Sequence, residues 1–356
     1  MSSSTNHPTA PRPPLISVVI LNYNGAKWLE RCLASLEKQT ILDQIEVIVA
    51  DNLSTDGSDR LAEKLVRDWP NGQFVQNGEN LGFCEGNNRG VKVATGNYLF
   101  FLNNDTWLEP ACLEVLLQET EKAGADVATP LVLNYDDATF QSLGAGGFDV
   151  FGFATARLPH AQTREVLMPE GCSYLIRRDL FEVLGEFDAE LFMFADELDL
   201  SWRVWIAGHK AVAVPAARLH HRGAANVNPK GEGAVVELRT SDTKRFFANR
   251  NNLLVLLKNA HNLLLLMALF QVGLLAVEAI VGLLLVRRWR FVKRAYVDAV
   301  ADCWRLRRHI LAERNRVRKF RRRSDWWMLR FLRWRPNRWD ELRRLRQFGL
   351  PKVTPN

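Results

Sequence analysis

Three polar clusters end apolar runs in the first third of the chain. Residues 16–21 (ISVVIL) stop at Asn22 and Asn24, residues 45–50 (IEVIVA) at Asp51 and Asn52, and residues 98–102 (YLFFL) at Asn103, Asn104 and Asp105. Amides orient hydroxyl groups, whereas a lone carboxylate such as Asp105 suits Mg2+ or Mn2+, which bridge one or two carboxylates to substrate phosphates. A fourth cluster, ADELDLSWR, brings Asp196, Glu197 and Asp199 to the expected start of a helix. Carboxylates so placed serve general acid–base chemistry, and they serve equally well as cap and first-turn residues. His220 and His221 close the run AVAVPAARL and offer an imidazole to a metal or a phosphate, or simply cap a strand.

The elements that must position these groups follow from periodicity. Strands are expected at 16–22, 45–52, near 73–76 and from 98, separated by helices over KWLERCLASLEKQ and from Ser58 to Asp68. The stretch NGENLGFCEGNNRG, residues 77–90, reads as a Gly- and Asn-rich loop leading into a helix that runs to Ala94. Strands alternating with helices imply an α/β fold with a mostly parallel sheet covered on both faces. Ligands of such sheets bind beyond the carboxyl ends of the strands, and all three polar clusters fall there.

Two nucleotide-binding classes are excluded by their own requirements. No GxxxxGK[ST] run is present, and strand one is followed by Gly25 without the GxGxxG turn. A bound diphosphate therefore needs positive charge from elsewhere, and a divalent cation on Asp105 supplies it. Five widely spaced cysteines (32, 84, 112, 172 and 303) form no CxxC pair and suggest neither a disulfide framework nor a thiolate metal site.

Charge divides the chain. Residues 287–356 carry 23 Lys and Arg against 6 Asp and Glu, while the whole chain has a net charge of only +7, so the preceding body is acidic. Residues 1–14 lack an apolar h-region and read as a disordered leader. Residues 15–258 form the expected catalytic domain and 259–356 an apolar, then basic, helical region. Within the latter, residues 262–286 are almost continuously apolar and long enough to span a bilayer. Basic residues flank both ends, and Gln271 and Glu278 lie inside, which favours an in-plane or re-entrant arrangement over a single span. Packing against a neighbouring helix is the alternative. Six tryptophans interleaved with arginines after this segment suit a headgroup interface; the competing reading of the tail is nucleic-acid binding.

In order and spacing, SVVILNYNG, VIVADNLSTDGS, ENLGFCEGNNRG, LFFLNNDTWLEP and GCSYLIRRDLFEVLGEFDAELFMFADELDLSWRVWIAGHK, followed by HHRGAA, resemble the GT-A glycosyltransferases of family 2, in the bacterial rhamnosyltransferase-like branch. The resemblance covers residues 16 to about 258. It implies inverting sugar transfer from a nucleoside diphosphate donor, dTDP-rhamnose before a UDP-hexose, to a lipid-linked glycan or glycolipid at the cytoplasmic membrane face. On this pattern Asn22, Asn24, Asp51, Asn52, Asn88, Asn103 and Asn104 line the nucleotide-sugar pocket, and Asp105 with His220 or His221 holds Mg2+ or Mn2+. The family's DxD begins here with Asn103, so Asp105 is its remaining carboxylate. Where the family reads Glu-Asp with Asp as base, this chain reads Asp196-Glu197. Glu197 takes the base position, Asp196 competes for it, and Asp199 is expected to orient the helix or an acceptor hydroxyl. Arg203 and Arg222 are candidate phosphate contacts. Cys172 is expected to pack, and Phe187, Phe192 and Phe194 to line an acceptor-side loop or fill the core.

Overall fold

The computed structural model describes residues 14–339, apart from 68, 70, 157–158 and 224–238, together with 343, 346, 352 and 353. The leader expected over residues 1–14 lies outside them, Pro14 excepted.

The N-terminal half alternates as its sequence requires. Strands β1 (Ile16–Asn22), β2 (Ile45–Asp51), β3 (Gly72–Gln76) and β4 (Tyr98–Asn103) are parallel neighbours in the order β4-β1-β2-β3. Helices α1 (Leu29–Leu36), α2 (Ser58–Arg67) and α3 (Gly82–Val91) connect them. Successive side chains on a strand point to opposite faces. Accordingly Val19, Ile48, Leu99 and Phe101 join one apolar cluster, whereas Val18, Ile20, Val47, Val49, Phe100 and Leu102 join the other. Registration places Asn22 beside Asp51, Leu21 beside Asn103, and Asp51 beside Gln76. The polar strand ends therefore form one row.

Half of the expected loop 77–90 is helical. Glycine disfavours helix interiors, but here it permits close packing: a Cβ at Gly86 would meet Leu21 Cδ1 at 2.6 Å, and one at Gly90 would meet Val19 Cγ1 at 2.8 Å. Helix α3 lies so near the sheet that tertiary contact overrides propensity.

The second half makes the sheet mixed rather than mostly parallel. After β5 (Thr106–Leu108), α4 (Cys112–Lys122) and β6 (Val127–Asn134) come four short strands: β7 (Phe140–Ser142), β8 (Ala145–Phe148), β9 (Ala154–Ala156) and β10 (Arg164–Glu165). Strand β11 (Ser173–Arg177) then inserts antiparallel between β4 and β6, followed by α5 (Arg178–Leu184) and α6 (Asp196–Ile206). The long strand β12 (Ala211–His221) runs parallel to β6 and antiparallel to β5, so that Thr106 lies opposite His221 and Trp107 opposite His220.

No seam separates the C-terminal region from this body. The boundary expected after residue 258 falls within α7 (Asp242–Asn259), and Cys303, Ile310, Val317, Met328 and Phe331 share one apolar cluster with Trp202 and Trp205 of α6. Helix α8 (Leu266–Val286) is long and apolar enough to cross a membrane, by length and composition. Met267, Ala268, Gln271 and Leu275 are buried against the protein, whereas the opposite side, with Leu269 70% and Leu284 67% exposed, is uncovered. Within the chain, then, the segment is not a core helix. The chain next passes through α9 (Trp289–Val292) and a π-helical turn, Lys293–Asp298, into α10 (Ala299–Arg305), α11 (Arg307–Phe320) and α12 (Asp325–Met328). The turn packs on α7, where Asn249 Nδ2 donates to the Ala295 carbonyl at 2.9 Å.

Part of the basic tail faces inward. Arg314 donates to the Leu257 and Ala260 carbonyls and Arg321 to that of Asn259, closing the end of α7. Arg323 does the same for α6 through the carbonyls of Trp205, Gly208 and His209, with its guanidinium 3.9 Å from the Trp327 ring centroid. Helix C-termini leave unsatisfied carbonyls that cations stabilise. Arg323→Ala is expected to lower stability by about 2–3 kcal/mol, read as a lower urea midpoint with an unchanged denaturant slope.

Candidate active site

The row of strand ends is a hydrogen-bonded mesh. Asn22 Nδ2 donates to Asp51 Oδ1 at 2.7 Å and Ser58 Oγ at 2.9 Å, and Asn22 Oδ1 accepts from Asn104 Nδ2 at 2.9 Å. Asp51 also accepts from the Ser54 amide and hydroxyl and from Gln76 Nε2. Gly25 makes this possible, because a Cβ there would stand 2.1 Å from Asn104 Nδ2. Asn24, at φ +52°, accepts from the Thr55 amide and is exposed. Asn103 leaves its side-chain amide without a partner among the described residues.

Two expected pocket residues point elsewhere. Asn88 binds the backbone of Phe187 through both its amide nitrogen and its oxygen, at 2.8 and 3.1 Å, and so ties α3 to the segment before α6. Asn52 is buried, donating to the Gly82 carbonyl and accepting from Asn77. Both assemble the pocket from beneath. Gln76, Ser54 and Ser58 complete the mesh and were not singled out by the sequence, although the last two lie inside LSTDGS.

The antiparallel pairing of β5 with β12 decides between the histidines. His221 Nε2 lies 3.4 Å from Asp105 Oδ1. His220, one residue earlier on the strand, points away, stacks on Trp107 at 3.6 Å between centroids and faces Glu109, so it leaves the metal set. Burial opposes charge on His221, but Cys172 and the hydrogen bond to Asp105 outweigh it and push the imidazole well above its ordinary range. Cys172 packs in the apolar cluster with Leu102 and Leu175, as expected. Arg222 donates its backbone N–H to the Asp105 carbonyl, and its buried Nη2 has no partner among the described residues. The guanidinium lies 5.9 Å from the Trp28 ring centroid, and a buried guanidinium nitrogen left without a partner suits a phosphate oxygen.

The acid–base candidates separate. Asp196 is buried and Glu197 half-buried; Glu197 lies against Gly171, where a Cβ would meet its Cδ at 3.4 Å. The next residue, Cys172, accepts from the Asn103 amide at 3.1 Å, which brings Glu197 to the same rim as Asn103–Asp105. Burial raises the carboxyl of Asp196 to about 6; burial and the Asp196 charge hold that of Glu197 well above its ordinary value. The two titrate as a pair.

Asp199 does not reach this rim. Fully buried, it binds Arg203 Nη2 at 2.8 Å, Lys258 Nζ at 3.0 Å and Asn259 Nδ2 at 2.6 Å. Burial works against its charge, but Lys258 and Arg203 outweigh it and hold the carboxyl below its ordinary value. Lys258 also pairs with Asp188, which His309 contacts at 2.9 Å. Arg203, the other half of this network, donates to the Leu184 and Glu186 carbonyls and contacts no open site. Both residues fasten α6 in place. Between Asp188 and Asp196 the backbone is strained, with φ +61°, +69° and +60° at Phe192, Phe194 and Ala195. Left-handed conformation costs about 1–2 kcal/mol per residue, comparable to the handful of hydrogen bonds, about 1 kcal/mol each, that Arg250 and Asn251 of α7 donate to carbonyls of residues 190–194.

Among the described residues no group of three or more His, Cys, Asp or Glu side chains could hold a metal. Asp105 and His221 alone fit a cation that completes its shell with donor phosphates and water.

A parallel sheet rim of amides, one carboxylate facing an imidazole, and a carboxylate pair beside the segment before β11 lie together in a GT-A-like fold. Residues 17–185 match the family model described as glycosyl transferase family 2. The chain is 29% identical over 238 residues, 58% of this chain and 76% of the relative, to an N-acetylglucosaminyl-diphospho-decaprenol L-rhamnosyltransferase of Mycobacterium tuberculosis. The fold is similar to that of a mannosyltransferase from Pyrobaculum calidifontis in complex with GDP-Man and Mn2+ (TM-score 0.52, 18% identity, 82% of this chain and 88% of that one). It is similar also to GalNAc-T7 with UDP, GalNAc and Mn2+ (TM-score 0.51, 21% identity), where the match covers 58% of this chain but only 43% of that one.

Replacing Lys258 by Met leaves Asp188 and Asp199 buried without their cation, and is expected to cost about 3–5 kcal/mol. In the parent the two depressed carboxyls contribute stability above their unfolded values, and that contribution is lost as pH falls through the folded ones. The stability gap between parent and variant should therefore be full at pH 7 and close below about pH 4, measured by urea unfolding across pH.

Proposed function

We propose that this glycosyltransferase moves rhamnose, with inversion, from dTDP-rhamnose to a hydroxyl of a lipid-linked glycan at the cytoplasmic membrane face. A UDP-hexose is the second donor candidate. The observation that carries the reading is the pairing of His221 with Asp105, whose backbone carbonyl holds the N–H of Arg222, at a rim that Glu197 also borders. The similarity to a rhamnosyltransferase whose name specifies a decaprenol-linked substrate supports the sugar and the class of acceptor.

The chemistry follows from these groups. The acceptor hydroxyl attacks the anomeric carbon from the side opposite the diphosphate. Glu197 takes its proton, and Asp196 sets how readily it does so, because two carboxylates in a buried site share the burden of charge. As the glycosyl C–O bond breaks, its electron pair goes to the diphosphate, whose developing charge Arg222 would stabilise. Asp105 and His221 would hold a divalent cation, which when bound neutralises charge on the same leaving group. The amides of Asn103 and Asn104 orient donor hydroxyls, and Asn22, Asn24 and Asp51 shape the nucleoside end.

The uncovered face of α8 supports attachment to the membrane from one side. The residues that follow α8 fold back along it, with a Cβ at Gly282 falling 3.6 Å from Val292, and exposed Trp304, Trp326 and Trp334 lie among basic residues in the sequence of the tail. Helices lying in an interface bury an apolar face and carry such residues beside it.

The test is transfer by the purified full chain in vesicles holding a polyprenyl-diphosphate-linked N-acetylglucosamine, with dTDP-rhamnose or UDP-hexoses and Mn2+ or Mg2+. Expected is a rhamnosylated lipid of anomeric configuration opposite to the donor. Asp105→Ala and Glu197→Gln should each lower kcat at least about 100-fold. Retained configuration, or transfer only from a UDP-hexose, overturns the corresponding part. A base whose carboxyl is raised must lose its proton before it acts, so kcat should fall with decreasing pH at a point above the range of an ordinary carboxylate.

A further inference from the structure

We propose that Asn251, outside the site described, is a positioning residue that holds segment 191–195 so that Glu197 meets the acceptor hydroxyl. The inference rests on the reading of Asp196 and Glu197 as the acid–base pair.

Asn251 is fully buried on α7. Its Nδ2 donates to three carbonyls, those of Leu191 and Met193 at 2.8 Å and of Phe194 at 2.9 Å, while its Oδ1 accepts from Arg250 Nε at 2.8 Å. The amide cannot be turned over: every partner of the nitrogen is an acceptor and the partner of the oxygen is a donor. The three carbonyls belong to the stretch containing the left-handed residues Phe192, Phe194 and Ala195, and Ala195 is the residue from which α6 starts, with no side-chain cap of its own. The Phe192 carbonyl, which Asn251 leaves free, accepts instead from the amides of Phe83 and Cys84 at the start of α3, and the Phe192 ring stacks on Phe247 of α7. One helix thus grips the carbonyls of Leu191, Met193 and Phe194, a second grips that of Phe192, and the chain between them is bent into the form that delivers Asp196 and Glu197. Arg250 extends the grip to the Glu190 carbonyl and is itself held by Asp302 of α10 at 3.0 Å.

An ordinary core amide would serve by filling space. A positioning amide serves by donating, and the two roles part in the volume-conserving substitution Asn251→Leu. Glu197 is faced by Asp196 from its own helix, by Glu170 from the segment before β11 and by Tyr174 from β11. If segment 191–195 relaxes, water reaches this group and its carboxyl returns toward the ordinary range.

The experiment measures kcat, the donor KM, nucleotide affinity with Mn2+ and the acidic limb of the pH profile in the full chain. For Asn251→Leu, kcat should fall about 10- to 100-fold, nucleotide affinity and donor KM should stay within about twofold, and the limb should move to lower pH. Adding Ala195→Gly, which accepts a positive φ without a side-chain penalty, should restore part of kcat. If the leucine variant does not fold, Asn251→Ser, which keeps one donor, is read in the same way. An unchanged kcat and limb, or loss of kcat together with nucleotide affinity, overturns the proposal. Glu197→Gln and Asp196→Asn are run beside it. If both retain transfer, the acid–base reading fails and the positioning role with it; if Glu197→Gln abolishes transfer while Asn251→Leu leaves the limb in place, the positioning role alone fails.

Discussion

The ammonium of Lys258, enclosed between Asp188 and Asp199, is the constraint on which the active-site half of the molecule depends. It comes from α7 and meets one carboxylate on either side of the segment that ends in Asp196 and Glu197. A buried cation of this kind is expensive to desolvate, and here it has two carboxylates, the Arg203 network and His309 around it. With both ends of the segment fixed to the same ammonium, the strained residues between them have little room to relax. The fold places cost and benefit together: strain is stored at residues 192–195, and the interactions that maintain it lie in the helices behind.

The sheet rim works differently. Its geometry comes from registration, which sets Asn103, Asn22, Asp51 and Gln76 in one row, and from an amide-to-amide contact that tolerates no side chain at position 25. A parallel sheet buried on both faces leaves its strand ends as the place where polar groups remain satisfied and accessible. A ligand crevice at this rim is what such an architecture favours, before any particular contact is considered.

Much of this was legible in the sequence, for reasons tied to particular residues. The runs ending at Asn22, Asp51 and Asn103 are continuous and β-branched or aromatic, so their strands and their shared rim could be inferred from pattern. Pairing across β5 and β12 could not. It is a contact between residues more than a hundred positions apart, and it alone separates His221 from His220. Asp199 looked catalytic because a carboxylate on the first turn of a helix reads alike whether it faces a cleft or a buried lysine 59 residues on. Asn88 looked like a pocket residue because nothing local reveals that Phe187 has an unpaired backbone there. Arg250 and Asn251 gave no signal, since a polar quartet at the start of an apolar helical run is an unremarkable surface pattern until the helix is seen to lie beneath a strained segment.

The apolar cluster shared by α6 and the C-terminal helices has a consequence for how such chains diversify. If sheet and helical layer were separate modules, an ancestral catalytic domain could have exchanged one membrane anchor for another by recombination near position 258. Here that junction lies inside the helix that supplies Arg250, Asn251, Lys258 and Asn259 to the segment before and within α6. A transplanted anchor would arrive without Asn259 and His309, partners of Asp199 and Asp188, and without the arginines that close α6 and α7, so exchange of one part disturbs the other.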